Sequence, residues 1–210
     1  MHIISWNVRG ANGDKKKRMI RKLRNMHKPD MVFLQETKMV GMVEKSVNEL
    51  WGNEQVRWSA ADAVGRSGGL MIMWNPEFFQ CLAETKGRGF IHVKGKVISE
   101  SKVVEMNYLN VYAPVAEKDK LLLWEELTEV RNANGGGWII GGDFNAVLYE
   151  EERRGSTFNS KVADQVMGVM DLPMAGRQFT WSNRSGASRL DRFLVSPEVV
   201  SLWPKLKQWG

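Results

Sequence analysis

Apolar and polar positions divide the chain into strand-like and helix-like segments, with no repeat and no low-complexity linker. His2 to Asn7 is a short β-rich run ending in polar residues and a glycine. Asp14 is placed to cap a helix running to about His27, with Met19, Leu23 and Met26 as one apolar stripe at helical spacing. Pro29-Asp30 stops that helix, and Met31-Val32-Phe33-Leu34 reads as a buried strand. A second helix is expected over residues 43–50. From 56 to 111 the texture is mostly β, with strands predicted at 68–74, 78–83, 90–97 and 103–111 between Gly, Pro and charged turns. Residues 117–131 read as an amphipathic helix carrying Leu121, Trp124 and Leu127 on one face. After the Gly135-Gly136-Gly137 breaker, Trp138-Ile139-Ile140 is a buried strand that runs straight into Gly141-Gly142-Asp143. A helix at 161–170 and strands at 178–182 and 189–195 complete the pattern. Strands and helices mixed without strict βαβ alternation predict an α+β layered fold, and no boundary divides residues 1–210 into separate domains.

Composition narrows the class. With 43% hydrophobic and 26% charged residues in 210, the chain is an ordinary globular protein, which excludes disorder, collagen-like repeats and a disulfide scaffold. No apolar run approaches the roughly 20 residues of a membrane span, and the first residues lack the charged start and apolar stretch of a signal peptide. Cys81, the single cysteine, cannot form an internal disulfide; it points to a reducing compartment and is expected to be a buried small hydrophobe. Thirty Lys and Arg against twenty-four Asp and Glu give a net charge of +6, which favours polyanionic partners without specifying one. Most of the nine tryptophans are expected to fill a core between sheets, with one or two at a rim able to stack on bases. The basic run Lys15-Lys16-Lys17-Arg18 with Arg21, Lys22, Arg24 and Lys28 reads as the solvated face of a helix; the same face would serve as a phosphate-contacting or nuclear-import patch.

Candidate chemistry collects where strands end. Asn7, Glu36, Asp143 and Asn145 each follow an apolar run, the place where layered folds build their sites. Asp143 comes after a Gly-Gly pair that permits close approach. Asp143 and Asn145 are two positions apart, so in extended backbone both side chains point the same way and can set a general base beside an oxyanion-binding amide. Asp and Asn also form turns, and the local pattern alone admits both readings. Glu36, in Gln35-Glu36-Thr37, suits a solvated strand end or a Mg²⁺ ligand, since Mg²⁺ takes one or two protein carboxylates and keeps several waters, and Asn7 equally suits a helix cap or a turn.

Together these residues form an ordered series: Ser5-Trp6-Asn7-Val8-Arg9-Gly10, Leu34-Gln35-Glu36-Thr37, Asn110-Val111-Tyr112-Ala113-Pro114, Gly141-Gly142-Asp143-Phe144-Asn145 and Ser188-Arg189-Leu190-Asp191-Arg192-Phe193-Leu194. The series resembles the endonuclease/exonuclease/phosphatase superfamily from residue 1 to about 197. Ile3 to Gly10 and Phe179-Thr180-Trp181-Ser182-Asn183 carry a narrower resemblance, to the endonuclease domain that begins the polyprotein of plant LINE-type (non-long-terminal-repeat) retrotransposons. The resemblance implies a four-layer α/β sandwich, two mixed sheets face to face with helices outside, and a Mg²⁺-dependent phosphodiesterase acting on DNA. Glu36 would hold Mg²⁺ with Asn7 beside it, and Asp143 would orient or deprotonate the attacking water. Asn145 would donate to a non-bridging oxygen, Tyr112 would position the phosphate, and Asp191 would orient a catalytic histidine. It further implies a nuclear, monomeric domain fused to a reverse transcriptase in its parent element.

The sequence departs from that family in one respect. The histidine belongs to a C-terminal Ser-Asp-His motif that this chain does not contain, and none of His2, His27 and His92 fits the position. A chain truncated just before that motif and the last core strand is therefore expected. Hydrolysis should then be weak or absent, and a sheet missing a strand should lower solubility. The residues leave open a retroelement-type endonuclease, another enzyme of the same fold (apurinic/apyrimidinic repair nuclease, deadenylase, inositol-polyphosphate phosphatase or sphingomyelinase) and a non-catalytic nucleic-acid-binding remnant.

Overall fold

The computed structural model describes residues 1–64, 67–98, 103–155 and 168–210. Continuous apolar runs become the central strands of two sheets. The first sheet is ordered β1-β2-β4-β3, from β1 (Ile3–Asn7), β2 (Met31–Gln35), β3 (Arg57–Val64) and β4 (Ser67–Trp74). In it β1 and β2 are parallel and the other pairs antiparallel. The second comprises β5 (Phe79–Gly87), β6 (Phe90–Ile98), β7 (Val103–Tyr112), β8 (Gly137–Asp143), β10 (Met170–Asp171) and β14 (Asp191–Val195) in the order β10-β14-β8-β7-β6-β5. Only β7 and β8 pair in parallel there. Two short ribbons flank it: β9 (Arg153–Arg154), β12 (Trp181–Ser182) and β13 (Ala187–Ser188) in one, β11 (Met174–Ala175) and β15 (Gln208–Trp209) in the other.

Period-two alternation distributes the apolar side chains over four layers. Phe33, Leu70 and Ile72 of the first sheet meet Phe79, Ile91, Tyr108, Ile139 and Val195 of the second in a core between the sheets. Val32, Leu34, Met71 and Met73, on the opposite face, pack against α1 (Asp14–His27) and α2 (Glu44–Trp51) through Ile20, Val47, Leu50 and Trp51. The outer face of the second sheet receives α3 (Glu117–Asn132), whose Leu123, Trp124 and Leu127 cover Leu109, Val111, Trp138 and Ile140. This is the expected α+β sandwich of two mixed sheets face to face with helices outside. A fourth helix, α4 (Pro197–Leu202), inserts Val199 into the central core; the sequence pattern does not separate it from the strand before it. Among the described residues no helix is long and apolar enough to cross a membrane.

Several local expectations need correction. Met19 and Met26 are 46% and 64% exposed, because α1 packs through Ile20 and through its own basic residues. Lys17 pairs with Glu49 at 2.9 Å, Arg21 donates to the Glu49 carbonyl and Arg24 lies over the Trp51 ring, so aliphatic stems cover α2 in place of the methionine stripe. The helix begins after Gly13 with no side-chain cap, so Asp14 is its first residue and not its cap. On α3 the buried line is Lys120, Leu123, Trp124 and Leu127, leaving Leu121 exposed. Cys81 sits on β5, an edge strand, at a bulge, and is only partly buried. The strand expected at 178–182 shortens to Trp181–Ser182. The helix expected at 161–170 lies outside the described residues up to 167, and Met170 already belongs to β10.

Two features set up the site. The sheets are joined inside the core by amides: Gln35 Nε2 donates to Asn110 Oδ1 (2.6 Å) and to Ser5 Oγ (3.1 Å). Asn110 Nδ2 returns bonds to the carbonyls of Leu34 (3.0 Å) and Met71 (2.9 Å). Amide bonds between buried strands fix the sheets in one register, although the Gln35 Oε1 is left without a partner among the described residues. Beside this latch, β1 is the edge strand of its sheet, and a groove of about 1040 Å³ runs between it and β14.

Candidate active site

The C-terminal ends of the parallel pairs β1/β2 and β7/β8 converge. Asn7 ends β1, Glu36 follows β2, Tyr112 ends β7 and Asp143 ends β8. Asp191 opens the antiparallel β14 directly opposite Asp143. All six sequence-nominated positions thus come to one end of the sandwich, Asn145 included. Gly142 makes the β7–β8 approach possible: its φ is +146°, and a Cβ there would run into the Val111 carbonyl oxygen on the neighbouring strand.

Asn7 is the clip of the site. Its Nδ2 donates to Glu36 Oε1 at 3.0 Å and to Asp143 Oδ2 at 2.8 Å, while its Oδ1 accepts from the Arg9 N–H at 3.2 Å. One amide therefore holds two carboxylates that would otherwise repel each other. Glu36 leaves β2 in left-handed backbone, φ +50°, with its loop pinned by the Thr37 and Lys38 N–H groups bonded to the Gly69 and Gly68 carbonyls. Among the described residues five non-glycine positions have positive φ, and four of them (Arg9, Glu36, Lys38 and Asn145) surround this clip. Backbone held in that region costs energy and collects at functional sites.

Asn145 corrects the extended geometry expected from its spacing. At φ +46° it forms a turn whose N–H donates to Asp143 Oδ1 (2.9 Å), and its Nδ2 donates to the Ala113 carbonyl (2.7 Å). The two readings of Asp143-Phe144-Asn145, turn and site, are thus the same object: the turn orients the carboxylate. Lys120, missed from sequence, holds that turn with its Nζ on the Asn145 carbonyl (2.7 Å).

Burial pushes the Asp143 carboxyl above the usual range and Glu36 adds to it, opposed by the bonds from Asn7 and Asn145 and by the Arg9 charge. The Tyr112 phenol is raised by burial, by its hydrogen bond to Glu36 and by the charges of Glu36 and Asp143, so it stays protonated. Asp191 is pushed up to about 6, chiefly by burial and then by Asp143, opposed by Thr180 and Arg9. Thr180 also accepts from the N–H groups of Leu190 and Asp191, both at 3.0 Å. It is legible in the sequence only as part of the phrase Phe179-Thr180-Trp181.

No histidine reaches Asp191. His2 and His27 meet at the opposite end of β1, with His2 Nδ1 2.8 Å from the His27 carbonyl. His92 is buried against Trp138 and bonded to Asn107. The arginines flanking Asp191 turn inward. Arg189 and Arg192 form a buried four-residue network with Glu152 and Asp171, with ion pairs of 2.8 to 3.2 Å. Its acidic members carry no recognisable sequence signal.

Among the described residues no cluster of three or more His, Cys, Asp or Glu stands ready for a metal. The oxygen donors present, the carboxylates of Glu36 and the neighbouring Asp143, are hard and few in number, which fits Mg²⁺ and its retained waters; Asn7 turns its Nδ2 to both of them and its Oδ1 to the Arg9 N–H.

No curated protein sequence matches the chain. Solved structures share its fold. The catalytic domain of Xenopus laevis APE2 has a TM-score of 0.71 at 17% identity, covering 96% of this chain and 84% of that one. The AP endonuclease LMAP from Leishmania major gives 0.70 at 19%, covering 95% and 80%. A point variant of the 3′ phosphatase NExo from Neisseria, bound to product DNA hairpin, gives 0.68 at 18%, covering 96% and 88%. A family model matches residues 4–206, and with strand-end carboxylates clipped by an amide inside a two-sheet sandwich, the chain belongs to the endonuclease/exonuclease/phosphatase family.

Proposed function

We propose that this chain is a Mg²⁺-dependent phosphodiester hydrolase directed at DNA, of the kind found in plant LINE-type retrotransposons, with slow turnover because no imidazole stands against Asp191. One observation carries the reading: Asn7 holds Glu36 and Asp143 side by side at the strand ends. Glu36 would hold the metal, with Asn7 beside it. Bound there, Mg²⁺ supplies Lewis-acid neutralisation of the scissile phosphate and the leaving 3′-oxygen.

The remaining chemistry belongs to side chains. Asp143, buried and raised, is a better base for an attacking water than an ordinary carboxylate, and Asn7 and the Asn145 N–H fix its direction. Tyr112, kept protonated, spends its one O–H on Glu36 and would turn it to a phosphate oxygen only by exchanging that partner. The Asn145 amide gives one N–H to Ala113 and keeps the other for a non-bridging oxygen. Asp191 completes the acidic wall without a histidine to orient. The basic charge of the chain, +6, supports a polyanion as substrate. On this reading residues 1–210 act as one monomeric domain in the nucleus, joined in the parent element to a reverse transcriptase.

Supercoiled plasmid in Mg²⁺ tests it. Slow nicking that disappears in Asp143→Ala supports the reading, whereas nicking that is unchanged in that variant rejects it. The lack of an imidazole beside Asp191 also favours a second reading, a DNA-binding remnant. Salt-dependent binding with no nicking at all would select that one.

A further inference from the structure

We propose that Arg9 is a phosphate-binding residue of this site, its guanidinium taking a non-bridging oxygen of the substrate. The inference rests on the phosphodiesterase reading above and adds a contact that reading does not contain. Arg9 lies just beyond β1 in left-handed backbone, φ +50°, tied by its N–H to the Oδ1 of Asn7, the residue that clips the two carboxylates. The loop is held against Glu36: Gly10 N–H donates to the Glu36 carbonyl (2.7 Å) and Ala11 N–H to that of Thr37 (2.8 Å). Arg9 is exposed and lines the groove together with Asn7, Asp143 and Asp191. Its charge favours the ionised forms of Asp143, Asp191 and Tyr112.

Several other cations near the carboxylates are engaged, while Arg177 and Lys207 line the same groove. Lys38 lies 4.0 Å from Glu36, Lys120 is on the Asn145 carbonyl, and Arg189 and Arg192 are taken up by Glu152 and Asp171. Among the described residues the Arg9 guanidinium makes no ion pair, although Asp143 and Asp191 line the same groove. A fork-shaped donor anchored by its backbone and left unpaired beside an acidic wall suits an incoming phosphate, which that wall would otherwise repel.

Two probes in EDTA test this: inorganic phosphate, read as a rise in Tm, and a short fluorescent duplex, read by anisotropy across a salt series. Phosphate should stabilise the wild-type chain and have little effect on Arg9→Ala. That variant should bind duplex about 5- to 10-fold more weakly, with its salt slope reduced by roughly 1, one phosphate contact. Arg9→Lys should retain the slope, and Lys45→Ala, an exposed charge on α2, should match wild type. If Arg9→Ala equals wild type with both probes, the Arg9 assignment falls and the nuclease reading survives. If phosphate acts through Arg9 while duplex does not bind, the assignment stands and the DNA reading falls. Wild-type chain insensitive to both probes rejects the assignment outright.

Discussion

Asp191 is the residue on which pH should act most visibly. Its carboxyl is raised to about 6, above the ordinary 3.8, first by burial and then by Asp143 across the sheet. Between those two values the unfolded chain has released this proton while the folded chain still holds it. Stability therefore falls as pH rises through that window and levels off above it. Asp191→Asn cannot ionise and escapes the loss. In EDTA its Tm should equal wild type near pH 4 and exceed it by about 5 °C at pH 7, a gain on the order of 2 kcal/mol. A Tm difference independent of pH would remove Asp191 as a buried, raised acid.

At the scale of elements, the site follows from where strands stop, and that much was legible. Apolar runs ending at Asn7, before Glu36 and at Asp143 gave both the strands and the positions of the polar groups, because a buried strand must surrender its chain to solvent somewhere. The turn around Asn145 was half legible: its residues suit both a turn and a site, and only the positive φ shows that one makes the other. Helix faces were read less well. Basic stems in α1 cover apolar surface, and a hydrophobicity pattern counts them as solvent-facing. Least legible was the network of Arg189, Arg192, Glu152 and Asp171, whose partners lie on separate elements. It is a demanding arrangement: removing one carboxylate leaves two buried guanidinium groups sharing the other. Glu152→Gln should cost roughly 3–5 kcal/mol, a Tm drop near 10 °C, while the exposed Glu151→Gln should leave Tm unchanged. Equal Tm values for both variants would deny the network its structural weight.

For the whole molecule, the two sheets differ in how they close. The second ends on one side in the two-residue β10, whereas the first ends in the longer β1, with Ile3 to Asn7 only half-buried beside a groove of about 1040 Å³. An edge strand beside a groove of mixed polar and apolar lining is a site of association. The folded chain should bind 8-anilinonaphthalene-1-sulfonate with clear fluorescence enhancement below its thermal transition, and a flat signal there would show that the groove is closed in solution. The same groove exposes Asp191 to solvent-borne groups, which gives the central claim its most direct test. On the proposed reading, plasmid nicking in Mg²⁺ should be slow, should vanish in Asp143→Ala, and should accelerate several-fold when free imidazole is added. Fast nicking without imidazole, or nicking that ignores the Asp143 substitution, would contradict the account.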